Sequence, residues 1–122
     1  MNIREEVSHL VAATRYSFGG IRFALKETAF KQEIFFGIIH YTLIFLIDET
    51  LSVKLVLASL WPIVMSAELI NSAVEQMVDH MSPEWNEFAK HAKDMCSAAV
   101  GILIVLTVCV WITVGFIHCA KL

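Results

Sequence analysis

The 122-residue sequence is short of charge, and three long stretches have none. Asp, Glu, Lys and Arg make up 17% of the chain against 57% hydrophobic residues, a balance outside that of soluble domains. The charges gather before Ile34, from Asp48 to Lys54, between Glu68 and Asp94, and at Lys121, which is the layout of a membrane protein. Cysteine is scarce as well. Cys96, Cys109 and Cys119 are odd in number, form no CxxC pair and share one apolar segment, so they read as small apolar packing residues rather than a disulfide or zinc set. A net charge of −3, with no basic run interleaved with aromatics, argues against nucleic acid as a partner. There is no GxxxxGK[ST] loop, no Gly-rich loop with an HRD segment and no HExxH, so phosphoryl chemistry here would not be of the P-loop or protein-kinase type. Met1–Lys31 is polar with both charge signs, which does not fit a secretory signal.

What is present divides into a surface helix and three spans within a single domain, 1–122. Residues 1–31 alternate apolar positions such as Val7, Leu10, Phe18 and Ile21 with Arg4, Arg15, Arg22, Lys26 and Lys31. That pattern predicts an amphipathic helix lying in the membrane interface, with a break near Gly19-Gly20. Transmembrane helices are predicted over 33–48, 51–79 and 93–120. The first is tight, because its charge-free run Ile34–Ile47 covers only about 21 Å of a hydrocarbon core of roughly 30 Å. The third carries Ser97-xxx-Gly101, a small-residue packing face. Seven Lys and Arg residues flank one side of the spans (Arg4, Arg15, Arg22, Lys26, Lys31, Lys90, Lys93) and two the other (Lys54, Lys121). The positive-inside rule then puts the N-terminus in the cytoplasm. Three spans bury little surface, so an oligomer is expected.

The second span has a polar stripe. With Glu68 at zero and 100° per residue, Asn71 falls near about −60°, Ser72 near +40°, Glu75 near −20° and Asp79 near +20°. A carboxylate at mid-bilayer costs roughly 2.5–3.5 kcal/mol, so two on one face call for an ion, a substrate or a polar partner helix. Glu68 and Glu75 stand about 10 Å apart along the axis, too far to chelate one ion together. They suit the two ends of a reaction. Glu75, nearer the cytoplasm, suits a Mg²⁺-bound polyphosphate, and the deeper Glu68 suits a hydroxyl proton. Lys93 could neutralise phosphate or simply anchor the third span by snorkelling. Trp61, Trp85 and Trp111 read as interfacial or packing aromatics.

The segments Glu68-Leu-Ile-Asn71-Ser72-Ala-Val-Glu75, Val78-Asp79 and Ala92-Lys93-Asp94-Met95 resemble the prokaryotic diacylglycerol kinase family. So do Tyr16-Ser17, Gly20-Ile21-Arg22 and Glu27-xx-Phe30-Lys31-Gln32-Glu33, and the likeness covers nearly the whole chain. The resemblance implies an all-α, homotrimeric enzyme of the bacterial inner membrane, with an N-terminal surface helix and three transmembrane helices, that transfers phosphate from MgATP to a lipid alcohol. It implies Glu68 as general base and Glu27 and Glu75 as the Mg²⁺ carboxylates. Tyr16, Glu84, Trp85, Asn86, Lys93 and Asp94, together with Glu27 and Glu75, would meet ATP. Ser17, Arg22, Phe30, Lys31, Glu33, Lys54, Asn71, Ser97 and Trp111 would line the lipid site with Glu68. The chain departs from the family pattern at His9, where an arginine is usual, and has one residue fewer between Arg22 and Glu27. The run Lys93-Asp94-Met95-Cys96-Ser97-Ala98-Ala99 looks more like the branch acting on diacylglycerol than the one acting on undecaprenol. From the stripe alone, two other readings stay open: a small transporter subunit with carboxylate ion sites, and a non-catalytic subunit whose stripe glues helices.

Overall fold

The computed structural model describes residues 2–120, which form four helices. Helix α1 spans Ile3–Ala24, α2 Thr28–Leu46, α3 Leu51–Met81 and α4 Glu87–Cys119. The last three are each long and apolar enough to cross a membrane. Lys121, counted above on the far side of the spans, lies outside the described residues.

Helix α1 starts at a capping box. The Asn2 side chain accepts from the Arg4 N–H at 3.5 Å, and Glu5 Oε2 accepts from the Asn2 N–H at 3.4 Å. Glu5 and Glu6 in the first turn and Arg22 in the last complement the helix dipole. The expected break at Gly19-Gly20 is absent. Neither glycine has a positive φ, and the helix runs through both to Ala24. The chain then turns over Leu25–Glu27, so Phe30 and Lys31 belong to the first turns of α2 rather than to the surface segment. Starting at Thr28 gives α2 19 residues, about 28 Å, which matches a hydrocarbon core of roughly 30 Å. The tightness expected of the first span comes from counting only its charge-free run.

Helix α3 is capped by Thr50, whose hydroxyl accepts from the Val53 N–H at 3.5 Å, and α4 by Asn86, whose side chain accepts from the Phe88 and Ala89 N–H groups at 2.8 and 3.4 Å. Pro62 inside α3 has no N–H for the Ala58 carbonyl one turn back. The Tyr41 hydroxyl of α2 donates to that carbonyl at 3.1 Å and replaces the missing partner. Nearby, His40 Nε2 lies 3.0 Å from the Leu57 carbonyl, and His40 Nδ1 accepts from Trp111 Nε1 at 3.0 Å. One imidazole thus ties α2, α3 and α4. Trp61 Nε1 donates to the Glu33 carbonyl at 3.2 Å, and the indole lies so close against Gly37 that a Cβ there would collide with it.

Helix α3 is the hub, packed chiefly on α4, then on α2, and more lightly on α1. The interior is inverted relative to a soluble protein. Among the described residues the buried apolar side chains are Ala24, Phe30, Ile44, Leu57, Val64 and Val100. They are matched in number by buried Glu33, His40, Glu68, Asn71, Ser72 and Thr107, while residues such as Phe45, Ile38 and Val105 face outward. An apolar shell around a polar centre suits hydrocarbon as solvent. Cys109 and Cys119 are exposed on α4, so within one chain they do not pack as expected.

Candidate active site

The stripe on α3 closes on itself. Glu68 is 4% exposed, and its two carboxylate oxygens accept from Asn71 Nδ2 and Ser72 Oγ, each at 3.5 Å. The same Asn71 Nδ2 donates to Glu75 Oε1 at 3.3 Å, so one amide bridges the two glutamates one turn apart on either side. These contacts follow from the i, i+3 and i, i+4 spacing of a helix face. Asn71 Oδ1 and Glu33 Oε2 are buried without a hydrogen-bond partner among the described residues, leaving spare acceptor capacity in the interior. Glu33 stands on α2, 8% exposed, two turns before the His40 tie.

Glu27 reaches the site from outside α3. It is the N-cap residue of α2 but makes no side-chain cap, and its Oε1 instead accepts from Gln76 Nε2 at 3.3 Å. Gln76 follows Glu75 directly, so both expected metal carboxylates serve the same turn of α3. No three His, Cys, Asp or Glu side chains among the described residues converge enough to hold a metal by themselves. A pair of carboxylates suits Mg²⁺, which takes one or two from protein and completes its shell with phosphate and water.

Two cavities flank this turn. One, about 440 Å³, lies between α1 and α3 and is lined by Ser17, Ile21, Phe23, Leu69, Ser72 and Gln76 among others. Ser72, whose hydroxyl donates to Glu68, stands in its wall. The other, about 310 Å³, lies at the α3–α4 turn and is lined by Asp79, Glu84, Trp85, Asn86, Lys93 and Asp94 with their neighbours. All five residues expected at the nucleotide from this part of the sequence share that one cavity. Lys93 Nζ donates to both Asp79 carboxylate oxygens, at 2.9 and 3.2 Å, and Lys90 Nζ to Asp94 at 2.8 Å.

The remaining expected residues are more scattered. Tyr16, Arg22 and Ser97 are exposed on α1 and α4, and Lys31 Nζ donates to the Lys26 carbonyl at 3.2 Å. Phe30 is buried at the base of α2. Lys54 and Trp111 are not brought to Glu68. Lys54 lies 14 residues before Glu68 on α3, about 21 Å towards the other end, and the Trp111 indole is bonded to His40, 7 residues along α2 from Glu33. Sequence reasoning gave no role to Gln76, none to Lys90 beyond the count of positive charges, and none to Ser72 or Asp79 beyond their place on the stripe and in the family motif. The Lys90–Asp94 pair was visible as an i, i+4 spacing, whereas the Gln76–Glu27 bond, between residues 49 apart, left no local signal.

The chain matches the family described as prokaryotic diacylglycerol kinase over residues 15–115, which includes every turn of the site. It belongs to that family. It is 40% identical over 106 residues to the diacylglycerol kinase of Haemophilus influenzae, covering 86% of this chain and 90% of that protein. To the diacylglycerol kinase of Escherichia coli K12 it is 34% identical over 112 residues, 91% and 92% of the two chains, and to that of Pseudomonas aeruginosa 30% over 109 residues, 88% and 89%. Membership in a lipid kinase family disfavours the transporter and helix-glue readings of the stripe.

Proposed function

We propose that the protein transfers the γ-phosphoryl group of ATP to the hydroxyl of diacylglycerol, giving phosphatidic acid and ADP, at the cytoplasmic face of a bacterial inner membrane. The observation that carries this reading is a buried, doubly hydrogen-bonded Glu68 whose partner Ser72 lines an apolar-walled cavity, with a lysine-lined cavity further along the same helix.

The membrane depth of Glu68 agrees with that role. On the far side the helix ends are level, because His118 Nδ1 of α4 lies 3.1 Å from Glu49 in the α2–α3 turn. Counting about 20 residues, or 30 Å, from Leu51 along α3 reaches Ile70. Glu68 then stands at the inner boundary of the hydrocarbon, where a lipid hydroxyl resides, and Glu75, Asp79 and Lys93 stand in the cytoplasmic water where nucleotide arrives.

In the reaction the lipid oxygen bonds to the γ-phosphorus as the bond to ADP breaks, and Glu68 takes the hydroxyl proton. Asn71 and Ser72 orient the carboxylate, and Lys93 places positive charge near the phosphates. Glu27 and Glu75 would hold Mg²⁺, which supplies charge neutralisation on the transferring phosphates when bound. The oxygen on Glu33 that lacks a partner offers a hydrogen-bond site to the glycerol headgroup. Helix α1, exposed along nearly its whole length with Ile3, Leu10 and Phe18 outward, lies in the interface. The assembly is a homotrimer, which covers part of the outward apolar surface.

The test supplies radiolabelled MgATP with diacylglycerol or undecaprenol to purified protein in a bilayer. Labelled phosphatidic acid is expected, and the Glu68→Gln variant should lose about 10³-fold in kcat. Efficient labelling of undecaprenol with none of diacylglycerol would overturn the acceptor, and near-normal turnover by Glu68→Gln would overturn the base.

A further inference from the structure

Neither lysine of the cavity at the α3–α4 turn is electrostatically free. Lys93 Nζ spans the cavity to both oxygens of Asp79, and Lys90 is held by Asp94 on its own helix. With Glu84 also in the lining, the charged side chains there are two lysines against three carboxylates, a formal balance of −1. A polyphosphate entering such a cavity meets no uncompensated cation among the residues that line it. It gains a cation from this lining only when an ion pair opens.

Both pairs are open to solvent, Lys90 and Asp94 with side chains 57% and 59% exposed, and the one beside the Glu75 turn of α3 is the pair between helices. Lys93 and Asp79 are 35% and 65% exposed in their side chains, so water and ligand reach them, and pairs this accessible hold weakly. The terminal phosphate of a nucleotide offers the same ammonium an acceptor carrying about −2 charge. Asp79 is also one turn along α3 from Glu75, so the ammonium need move only a short way to meet a phosphate bound over that turn.

We propose that Asp79 is the resting counterion of Lys93: a nucleotide phosphate takes the ammonium from it on entry, and Asp79 takes it back as ADP leaves. This rests on the reading of the protein as an ATP-dependent kinase. Asp79 is thus a positioning residue that acts through Lys93. It holds the lysine across the cavity before nucleotide arrives and competes with phosphate afterwards, weakening ground-state binding and easing product release. The exchange makes no new covalent bond and leaves every proton in place.

The experiment measures equilibrium binding of MgADP and of Mg²⁺ with a non-hydrolysable ATP analogue by titration calorimetry, using the full chain in lipid nanodiscs. Asp79→Asn keeps the shape of the side chain and removes its charge, so both ligands should bind about 3- to 10-fold more tightly, with kcat reduced because ADP leaves slowly. Asp79→Ser, which tests the same loss of charge with a smaller side chain, should shift binding the same way. In a Lys93→Ala background the gain should shrink to about 2-fold or less, since no ammonium remains to be competed for. Unchanged or weaker nucleotide binding by both Asp79 variants overturns the exchange, and so does weaker binding that is restored by excess Mg²⁺, which would make Asp79 a metal ligand. A gain as large without Lys93 also overturns it, in favour of plain repulsion. A wild-type protein with no affinity for either ligand overturns the kinase reading and the exchange together; wild-type binding with the wrong variant pattern overturns the exchange alone.

Discussion

Single side chains do unequal work in this protein. Asn71 uses one amide nitrogen on two carboxylates, at 3.5 Å to Glu68 and 3.3 Å to Glu75, so its loss frees both at once. Asn71→Ala should therefore lower kcat by about 10²-fold and raise the Mg²⁺ concentration needed for half-maximal rate, whereas Ser72→Ala, which removes only one bond to Glu68, should cost about 10-fold or less. Steady-state rates across a Mg²⁺ titration check both. Gly37 is a second such point, for steric reasons. A Cβ there would run into the Trp61 indole, so Gly37→Ala should destabilise the fold by about 1–3 kcal/mol. Thermal inactivation in detergent should show this, with partial recovery in the Gly37→Ala/Trp61→Phe double variant, where a smaller ring leaves room. His40 was the legible clue to this region that went unread. An imidazole inside an otherwise apolar span has to find polar partners, and its partners turn out to be Leu57 and Trp111.

At the scale of elements, the helical period exposed the stripe from Glu68 to Asp79, because side chains on one helix face meet whatever the tertiary context. The boundaries were less legible. Gly19-Gly20 looked like a break, yet glycine only lowers helix propensity, and the surrounding turns carry the helix through. Phe30 and Lys31 read as surface residues because a lysine interrupts the apolar run, although α2 starts before them. The ion pair between Asp79 and Lys93 could not be read at all, since it joins residues on different helices whose approach depends on packing. Pro62 gives an element-level prediction. Because Tyr41 satisfies the carbonyl that Pro62 orphans, Tyr41→Phe should cost about 1 kcal/mol in unfolding measurements in micelles. In a Pro62→Ala background, where the substituted residue would supply the missing N–H, that cost should largely disappear.

For the whole molecule, the exposed outer faces set the expectation. Ser97 is exposed on α4 and nothing lies within 4 Å of a Cβ placed on Gly101, so the chain alone would accept larger residues at both. Ser97→Leu or Gly101→Leu should leave the monomer folded but reduce the fraction of the proposed trimer in mild detergent, as read by light scattering. Unaltered trimers would place the contact between copies elsewhere.

Helices α3 and α4 run 31 and 33 residues without a joint between their membrane-crossing and water-facing portions. The residues proposed for the chemistry thus sit on the same two masts that are apolar enough to stand in lipid. A bilayer thicker by about 3 Å would shift the waterline by two residues along α3, enough to draw Glu68 deeper beneath the headgroups while the cavity around Lys93 stays dry-docked above them. Under the proposed function, the meeting of a lipid hydroxyl with a soluble nucleotide would therefore be gauged by membrane thickness, with the helix acting as the dipstick.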